Sequence, residues 1–386
     1  MDQRGLNASD IKSRNRGLAL KLICTHDSCT RVDLVRELGL TKMTVCNIVS
    51  ELQESGFVVQ TEGAPPPVSG RNPFAIRLAP HAPKIIGIHI SRDDIFGVVS
   101  DMKCRFRGIE QMKLEEEDRD TLREKIVSLV MKLMRKTKDP ILGIGVSVTS
   151  PVDPKRGTIL SPTNFFGITD FPVAQILNEV FSLPAYAAND MFSSALAELL
   201  MGKGQKYDNF IYIGVSNGIG AGIVTGKTLY EDNSGYVGEI GHSSICFDGE
   251  RCGCGNRGCL ELYANLPVIT ARLEAITGAK GITHRDFARL SKDPECDAVF
   301  CDAIEKMGVA VTNLVNLLDP QAILIGHEGY YLPRKYLRLL EKQVNQKIAA
   351  RDYRQIQVDY SAFRERAALY GSVCRVLNEL FQGTGV

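Results

Sequence analysis

Apolar residues in the first part of the chain recur at three- and four-residue intervals. Residues 11–26 place Ile11, Leu18, Leu20, Leu22 and Ile23 along one side of a helix. Thr30 then stands as a helix cap before Val32, Leu34, Val35 and Leu38, which are expected to face one core. Gly39 follows, where a tight turn wants a residue tolerant of positive φ. A second short helix begins near Thr41, carries Val45, Ile48, Val49 and Leu52 at helical spacing, and stops at Gly56. Two helices joined by a short glycine-containing turn make a helix-turn-helix. Residues 57–60 read as a strand, 62–72 are rich in Pro and Gly, and 73–78 read as a returning strand, so the whole predicts a winged helix.

From residue 84 the pattern changes to strands alternating with helices. Residues 85–91 and 96–101 read as an antiparallel pair, and 141–148 as a buried strand. Leu122, Ile126, Leu129, Val130 and Leu133 mark a helix between them. Further strands are expected at 209–215, 220–224 and 322–325, with a closing helix at 365–381. The predicted fold class is α/β: a winged helix-turn-helix over residues 1–80, a hinge at 80–83, and a larger α/β unit over 84–386. No repeat of 20–50 residues is evident.

Composition narrows the function. With 386 residues, 44% hydrophobic and 24% charged, the chain is a globular mixture long enough for more than one core. Its net charge of +1 excludes a polycation. Residues 1–80 hold ten Lys/Arg against eight Asp/Glu, so DNA binding would rest on placement and dimerisation rather than on a strong field. The start of the second helix offers Thr41, Lys42, Met43, Thr44 and Asn47 to a major groove. There Asn47 can read adenine, and a Thr or Met methyl can meet a thymine methyl. Arg71, in the wing tip, can reach phosphate or a narrow minor groove. The N-terminus lacks the apolar core of a signal peptide, and the longest apolar runs are too short for a bilayer. A cytoplasmic protein without membrane partners is expected, so the 11 cysteines should form no disulfide framework. Seven of them (24, 29, 46, 104, 296, 301 and 374) are expected to be small buried hydrophobes.

The remaining cysteines are the sharpest chemical signal. Gly241-His242 is followed, after nine residues, by Cys252-Gly-Cys254-Gly-Asn-Arg-Gly-Cys259. One His and three Cys give the tetrahedral set that a closed structural Zn2+ prefers, with Cys246 as an alternative to His242. Nearby loops carry Asn164, the pair Asn189-Asp190 after a strand-like 185–188, Glu239 and Glu261. Such amides and carboxylates suit a hydroxyl-rich ligand. Asp190 is also expected to cap a helix over 191–200.

Together these residues resemble the ROK family of repressors and sugar kinases over nearly the whole chain. The stretch from Gly241-His242 through Cys252, Cys254, Cys259 and Glu261 is similar to its zinc signature. Glu239-Ile-Gly-His242 and Asn189-Asp190 resemble its sugar elements, and residues 216–222 its second phosphate-side glycine loop. Leu318-Asp319-Pro320 with Ile325-Gly326 resembles its strand and turn near the nucleotide base. The winged helix with Gly70-Arg71-x-Pro73 resembles its repressor branch. The resemblance implies two actin-like, hexokinase-like lobes and sugar contacts from Asn164, Asn189, Asp190, Glu239, His242 and Glu261. In the family's kinases the residue at Asp190 is the general base, and His242 would serve both metal and ligand.

The departures bear on activity. The family's kinases open the first lobe with Asp-x-Gly-Gly-Thr; here the matching positions are His89, Ser91, Arg92 and Asp93. A negative charge and bulkier side chains at a phosphate turn oppose phosphoryl transfer. The later glycine turn is Gly326-His327-Glu328-Gly329, and a family Trp is Ile168. The sequence therefore predicts a non-enzymatic, sugar-responsive repressor. Its partners would be operator DNA, a free or phosphorylated sugar as inducer or corepressor, and further copies of itself in a homodimer or homotetramer. A phosphotransferase-system protein, a partner of some family members, is left open. The alternatives are an ATP-dependent sugar kinase with an appended DNA-binding domain, and a zinc-stabilised interaction module without a small ligand.

Overall fold

The computed structural model describes residues 7–26, 28–62, 74–149, 151–160, 165–230 and 235–384. The chain divides into two compact units, one comprising 1–148, 156–188 and 372–386, the other 149–155 and 189–371.

The first unit begins with α1 (Ala8–Thr25), which Asn7 opens by accepting from Ser9 N and Asp10 N. Strand β1 (Cys29–Thr30) leads into α2 (Arg31–Leu38), where Thr30 and Asp33 form a reciprocal capping box. Gly39, at φ 63, ends α2 in the left-handed region that only glycine enters freely. Helix α3 (Lys42–Glu54) follows, capped by Thr41, with Val45, Ile48, Val49 and Leu52 all buried. Strands β2 (Val58–Glu62) and β3 (Phe74–Leu78) pair antiparallel, and β1 adds to β3, giving the order β1-β3-β2. This is a winged helix. Two expectations need correction. Val32 points to solvent at 69% exposure, leaving Leu34 as the fully buried anchor of α2. The strand β1 is also a short third member that periodicity over two residues cannot reveal.

A five-stranded sheet follows, of order β10-β7-β4-β5-β6. It contains β4 (Lys84–Ile90), β5 (Asp94–Ser100), β6 (Phe106–Lys113), β7 (Ile141–Val148) and β10 (Ala185–Asn189). Short strands β8 (Val152–Asp153) and β9 (Thr158–Ile159) and helix α5 (Val173–Phe181) lie between β7 and β10 in sequence. Helix α4 (Arg119–Met134) buries Leu122, Ile126, Leu129, Val130 and Leu133, and a Cβ on Gly97 of β5 would meet Leu133 at 2.7 Å. Gly145 of β7 accommodates the last helix: a Cβ there would stand 1.8 Å from the Ser372 carbonyl oxygen.

In the second unit α6 (Asp190–Met201) precedes a sheet of order β13-β12-β11-β14-β15. Its strands are β11 (Phe210–Val215), β12 (Ile219–Thr225), β13 (Thr228–Leu229), β14 (Ala322–Gly326) and β15 (Gln357–Tyr360). Helices α7 (Glu261–Ala264), α8 (Leu266–Thr277), α9 (Phe287–Leu290) and α10 (Pro294–Leu318) lie between β13 and β14 in sequence. Helix α11 (Arg334–Lys347) precedes β15, and α12 (Ala367–Phe381) closes the chain. Alternation along β11 sorts its two faces. Ile211, Ile213 and Val215 join the cluster built on α10, whereas Phe210 and Tyr212 pack with Met191 and Ala195 of α6. The winged helix followed by two actin-like α/β lobes is the fold class the sequence predicts. Of the seven single cysteines, 24, 29, 104, 296 and 374 are buried, while 46 and 301 are only partly so. Among the described residues no helix is long and apolar enough to cross a membrane.

Within the first unit α1 rests directly on the end of α12: a Cβ on Gly17 would stand 2.4 Å from the Phe381 carbonyl oxygen. Helix propensity alone would make Gly17→Ala stabilising by about 1 kcal/mol. The backbone clash is expected to reverse that sign, with a net loss of about 1–3 kcal/mol in denaturant unfolding; a gain would show that α1 does not seat on α12.

Candidate functional site

The metal cluster is local in sequence and folds around glycine. His242 ends a short 3-10 turn over Ile240–His242. Cys252 N donates to Asn256 O at 2.8 Å, and Gly255 N to Cys252 O at 3.0 Å, so residues 252–256 form a closed loop. Gly255 and Gly258, at φ 95 and 62, make the reversals that return Cys259 beside Ser244. One donor atom from each of His242, Cys252, Cys254 and Cys259 lies within 4.8 Å of the others. Cys254 Sγ is 3.7 Å from Cys259 Sγ, and Cys252 Sγ is 3.7 Å from His242 Nδ1. A tetrahedral ion with the usual Zn–S and Zn–N bonds needs edges of about 3.8 and 3.6 Å. The donor set therefore fits a closed tetrahedral metal. Cys246 is exposed, bonds to Asp248 Oδ1 at 3.1 Å, and stands outside the cluster that His242 joins.

Four of the sugar-site candidates, Asp190, Glu239, His242 and Glu261, interact with one another beside this cluster. Asn189 ends β10 and caps α6, its Oδ1 accepting from Met191 N at 2.8 Å and Phe192 N at 3.3 Å. This corrects the expectation that Asp190 is the cap: Asp190 is the first helical residue, 2% exposed, with Oδ1 accepting from Met191 N at 2.9 Å. Glu261 opens α7 and accepts from Ile219 N at 3.2 Å through Oε2. A Cβ on Gly218 would meet that oxygen at 2.8 Å, so the 216–222 loop lies against Glu261. Glu239 keeps solvent-exposed surface, yet crowding by protein pushes its carboxyl above the usual range. The charges of Asp190 and Glu261 push it the same way, against the pull of His242. Asp190, Glu239, His242 and Glu261 thus share one electrostatic neighbourhood. Asn164 lies outside the described residues.

The glycine turn after β14 carries more than an altered family pattern. Asp190 Oδ2 lies 3.5 Å from His327 Nε2, and His327 Nδ1 lies 2.9 Å from the Tyr212 hydroxyl. No signal short of the fold joins residues so far apart in the chain. Elsewhere, the turn at His89–Asp93 links β4 to β5 and closes on itself. Ser91 N and Oγ both donate to Asp94 O at 2.9 Å, and Ser91 Oγ accepts from Asp94 N at 3.1 Å.

At the DNA-binding candidates, Thr41, Lys42, Met43 and Asn47 are exposed, Met43 at 71%, and Thr44 is half-buried. The Thr41 and Thr44 hydroxyls pair at 2.9 Å, and Thr44 N donates to Thr41 Oγ1 at 3.2 Å. Ser50, one turn beyond Asn47, is exposed on the same helix and was not singled out by sequence. Arg71 lies outside the described residues.

Fold and site define a class: a winged helix-turn-helix joined to an actin-like α/β body bearing a Cys3His cluster beside a set of carboxylates. The chain belongs to the ROK family, whose model matches residues 85–378. It is 28% identical to the xylose repressor of Caldicellulosiruptor bescii, over 97% of this chain and 98% of that protein. The crystal structure of a ROK family transcriptional regulator, a homologue of the Escherichia coli MLC protein, superposes with a TM-score of 0.85 at 23% identity, covering 97% and 98% of the two chains. A ROK family glucokinase from Streptomyces griseus, in complex with glucose and AMPPNP, gives 0.65 at 25% identity, covering 75% of this chain and 98% of its own.

The raised pKa of Glu239 has a defined sign. Its protonated form favours the fold, so that contribution is present below the usual carboxylate range and is lost as pH rises through the raised value. Glu239→Gln is expected to match the parent in urea unfolding at about pH 4 and to exceed it at about pH 7. Equal stability at both would place Glu239 outside the field of Asp190 and Glu261.

Proposed function

We propose that this protein is a sugar-responsive transcriptional regulator, a repressor of carbohydrate-utilisation genes that binds operator DNA and is released by a sugar or sugar phosphate. One observation carries this reading: a winged helix with a largely polar exposed edge on α3 shares a chain with a set of carboxylates beside a Cys3His cluster. The near full-length likeness to a protein named a xylose repressor supports it. In this reading residues 1–80 bind DNA through Thr41, Lys42, Met43, Thr44, Asn47 and Arg71, and 84–386 hold the ligand. Exposed Lys42, Met43 and Asn47 make the reaching contacts, while Thr41 and Thr44 set the pitch of α3.

The sugar is held by Asn164, Asn189, Asp190, Glu239, His242 and Glu261. Carboxylates accept from sugar hydroxyls, and Asn189, whose carbonyl oxygen accepts at the helix cap, adds an amide group to the site. A structural Zn2+ on His242, Cys252, Cys254 and Cys259 would fix this geometry. With Nδ1 facing the thiolates, Nε2 carries the proton and is the nitrogen available to a ligand. The protein works in the cytoplasm as a homodimer or homotetramer, so that paired half-sites strengthen its modest basic charge.

Phosphoryl transfer is absent in this reading. The β4–β5 turn spends its Ser91 and Asp94 amides internally, and exposed Asp93 opposes a nucleotide phosphate. Retained Asp190 favours the second reading, an ATP-dependent sugar kinase. Sugar-dependent ADP release that vanishes in Asp190→Asn would establish it.

Fluorescence anisotropy on DNA from upstream of the protein's own gene, with free and phosphorylated sugars added at fixed salt, tests the proposal. Specific binding weakened by one sugar is expected; no specific binding under any condition contradicts it. Asn47→Ala is expected to cost about 1–3 kcal/mol of specific affinity while leaving non-specific binding nearly unchanged. Elemental analysis should find one zinc per chain in the parent and none in Cys259→Ser, whose melting temperature should fall. Full stability without metal would remove zinc from the account.

A further inference from the structure

His327 occupies a backbone position that glycine would take more readily. It follows β14 at φ 52, in the left-handed region, where a side chain with a Cβ is strained by about 1–2 kcal/mol. The side chain is nevertheless almost fully buried, at 7% exposure. Such strain persists only where the surroundings hold the residue, and here they hold the imidazole at both ends. Nδ1 meets the Tyr212 hydroxyl of β11 at 2.9 Å, and the His327 backbone N–H donates to the same hydroxyl at 3.1 Å. Nε2 faces Asp190 Oδ2 of α6 at 3.5 Å.

The space around this chain of groups is shaped for it. A Cβ on Gly214 would lie 2.8 Å from His327 Nδ1, and one on Gly326 would lie 1.9 Å from the Tyr212 hydroxyl. The charged and titratable groups bearing on the imidazole are Asp190 from α6, Tyr212 from β11 and Glu328 on its own turn. Burial alone would strip a proton from the ring, but the Asp190 carboxylate outweighs it and holds the imidazole above its ordinary value, with Glu328 acting the same way. Glu239 interacts electrostatically with Asp190 as well.

We propose that His327 is a positioning residue of the effector site: its imidazolium ties Asp190 to Tyr212, keeping Asp190 anionic and fixed as an acceptor for a hydroxyl of a bound polyol. The inference rests on the reading of Asp190 as a sugar contact. Three neighbouring carboxylates otherwise favour protonation of one of them, and a protonated Asp190 would give up an acceptor site. The cation also links the sugar contact to the ends of β11 and β14. Sugar binding at Asp190 is therefore felt by the sheet through one buried ion pair and one buried hydrogen bond.

The test uses the full-length protein and two readouts. In the first, nitrogen NMR of histidine-labelled protein follows the six imidazoles with pH, the His327 signal being assigned by its loss in His327→Gln. The parent ring should titrate above a free histidine, and its midpoint should fall in Asp190→Asn. An ordinary or lower midpoint, or one indifferent to Asp190→Asn, overturns the proposal without reference to any sugar. In the second, calorimetry with the sugar that releases the DNA is run between about pH 5.5 and about pH 8.5. Parent affinity should fall as pH rises through the His327 midpoint. His327→Gln should bind about tenfold more weakly at the acid end, with a flat profile. A space-filling role predicts the same pH profile in parent and His327→Gln, which contradicts the proposal. If no sugar binds the parent, the effector reading fails on its own, and the NMR result still decides whether the imidazolium holds Asp190.

Discussion

The carboxylate site of the α/β half of this protein depends on one buried side chain, Asp190, and the backbone that delivers it. Strand β10 ends at Asn189, whose side chain caps α6, and the first residue of that helix is Asp190. The cap fixes the direction of α6, and Met191, one residue on, packs against Gly214, Gly220 and Gly222 of the sheet. A helix N-terminus favours a negative charge, which offsets part of the cost of burying Asp190. Around this point Glu239 and Glu261 add charge of the same sign, so the site is built against its own repulsion. Such a site is stabilised when a ligand donates hydrogen bonds to the carboxylates.

The Cys3His cluster bears on a different problem. Glu239 is exposed and Glu261 half-buried, each beside a core residue, Ile240 or Leu260, and in the proposed reading their carboxylates must stay within reach of Asp190. Both flank the cluster in sequence, Glu239 three residues before His242 and Glu261 two after Cys259. With a metal bound, the four converging donors would hold the loop between those two core residues. Regulation through this site requires only that a ligand bind one arrangement of the molecule better than another, and a few kcal/mol of such preference shifts a population decisively. In the proposed reading the winged helix supplies the readout: its exposed α3 edge carries Thr41, Lys42, Met43 and Asn47, while its inner face is anchored by Leu34, Val45, Val49 and Leu52.

Much of this was legible in the sequence, for physical reasons. The helix-turn-helix showed itself through helical spacing, the Thr30 cap and Gly39, each a local signal. Strand β7 was bounded correctly because an apolar run bracketed by polar residues has one reading. The cysteine spacing gave the cluster because ligands and loop are contiguous. Strand β6 was missed because Phe106–Lys113 is half-exposed and mixes polar with apolar residues without strict alternation, an edge strand specified by its neighbour rather than by its own residues. Val32 was misplaced since helical spacing gives a face but not its width. The Asp190–His327–Tyr212 chain was illegible: three elements distant in sequence meet only through the sheet, and His327 occupies a conformation no local preference would assign it.

Sugar and DNA are taken to compete through the energy of one molecule, and linkage gives that competition a quantitative consequence. If a sugar weakens DNA binding by some factor, DNA must weaken sugar binding by the same factor. The decisive measurement is calorimetric titration of that sugar into the protein alone and into the protein saturated with operator DNA, at one salt concentration and one pH. The account predicts that sugar affinity drops in the complex by the factor seen for DNA release. Sugar affinity unchanged by bound DNA would contradict it.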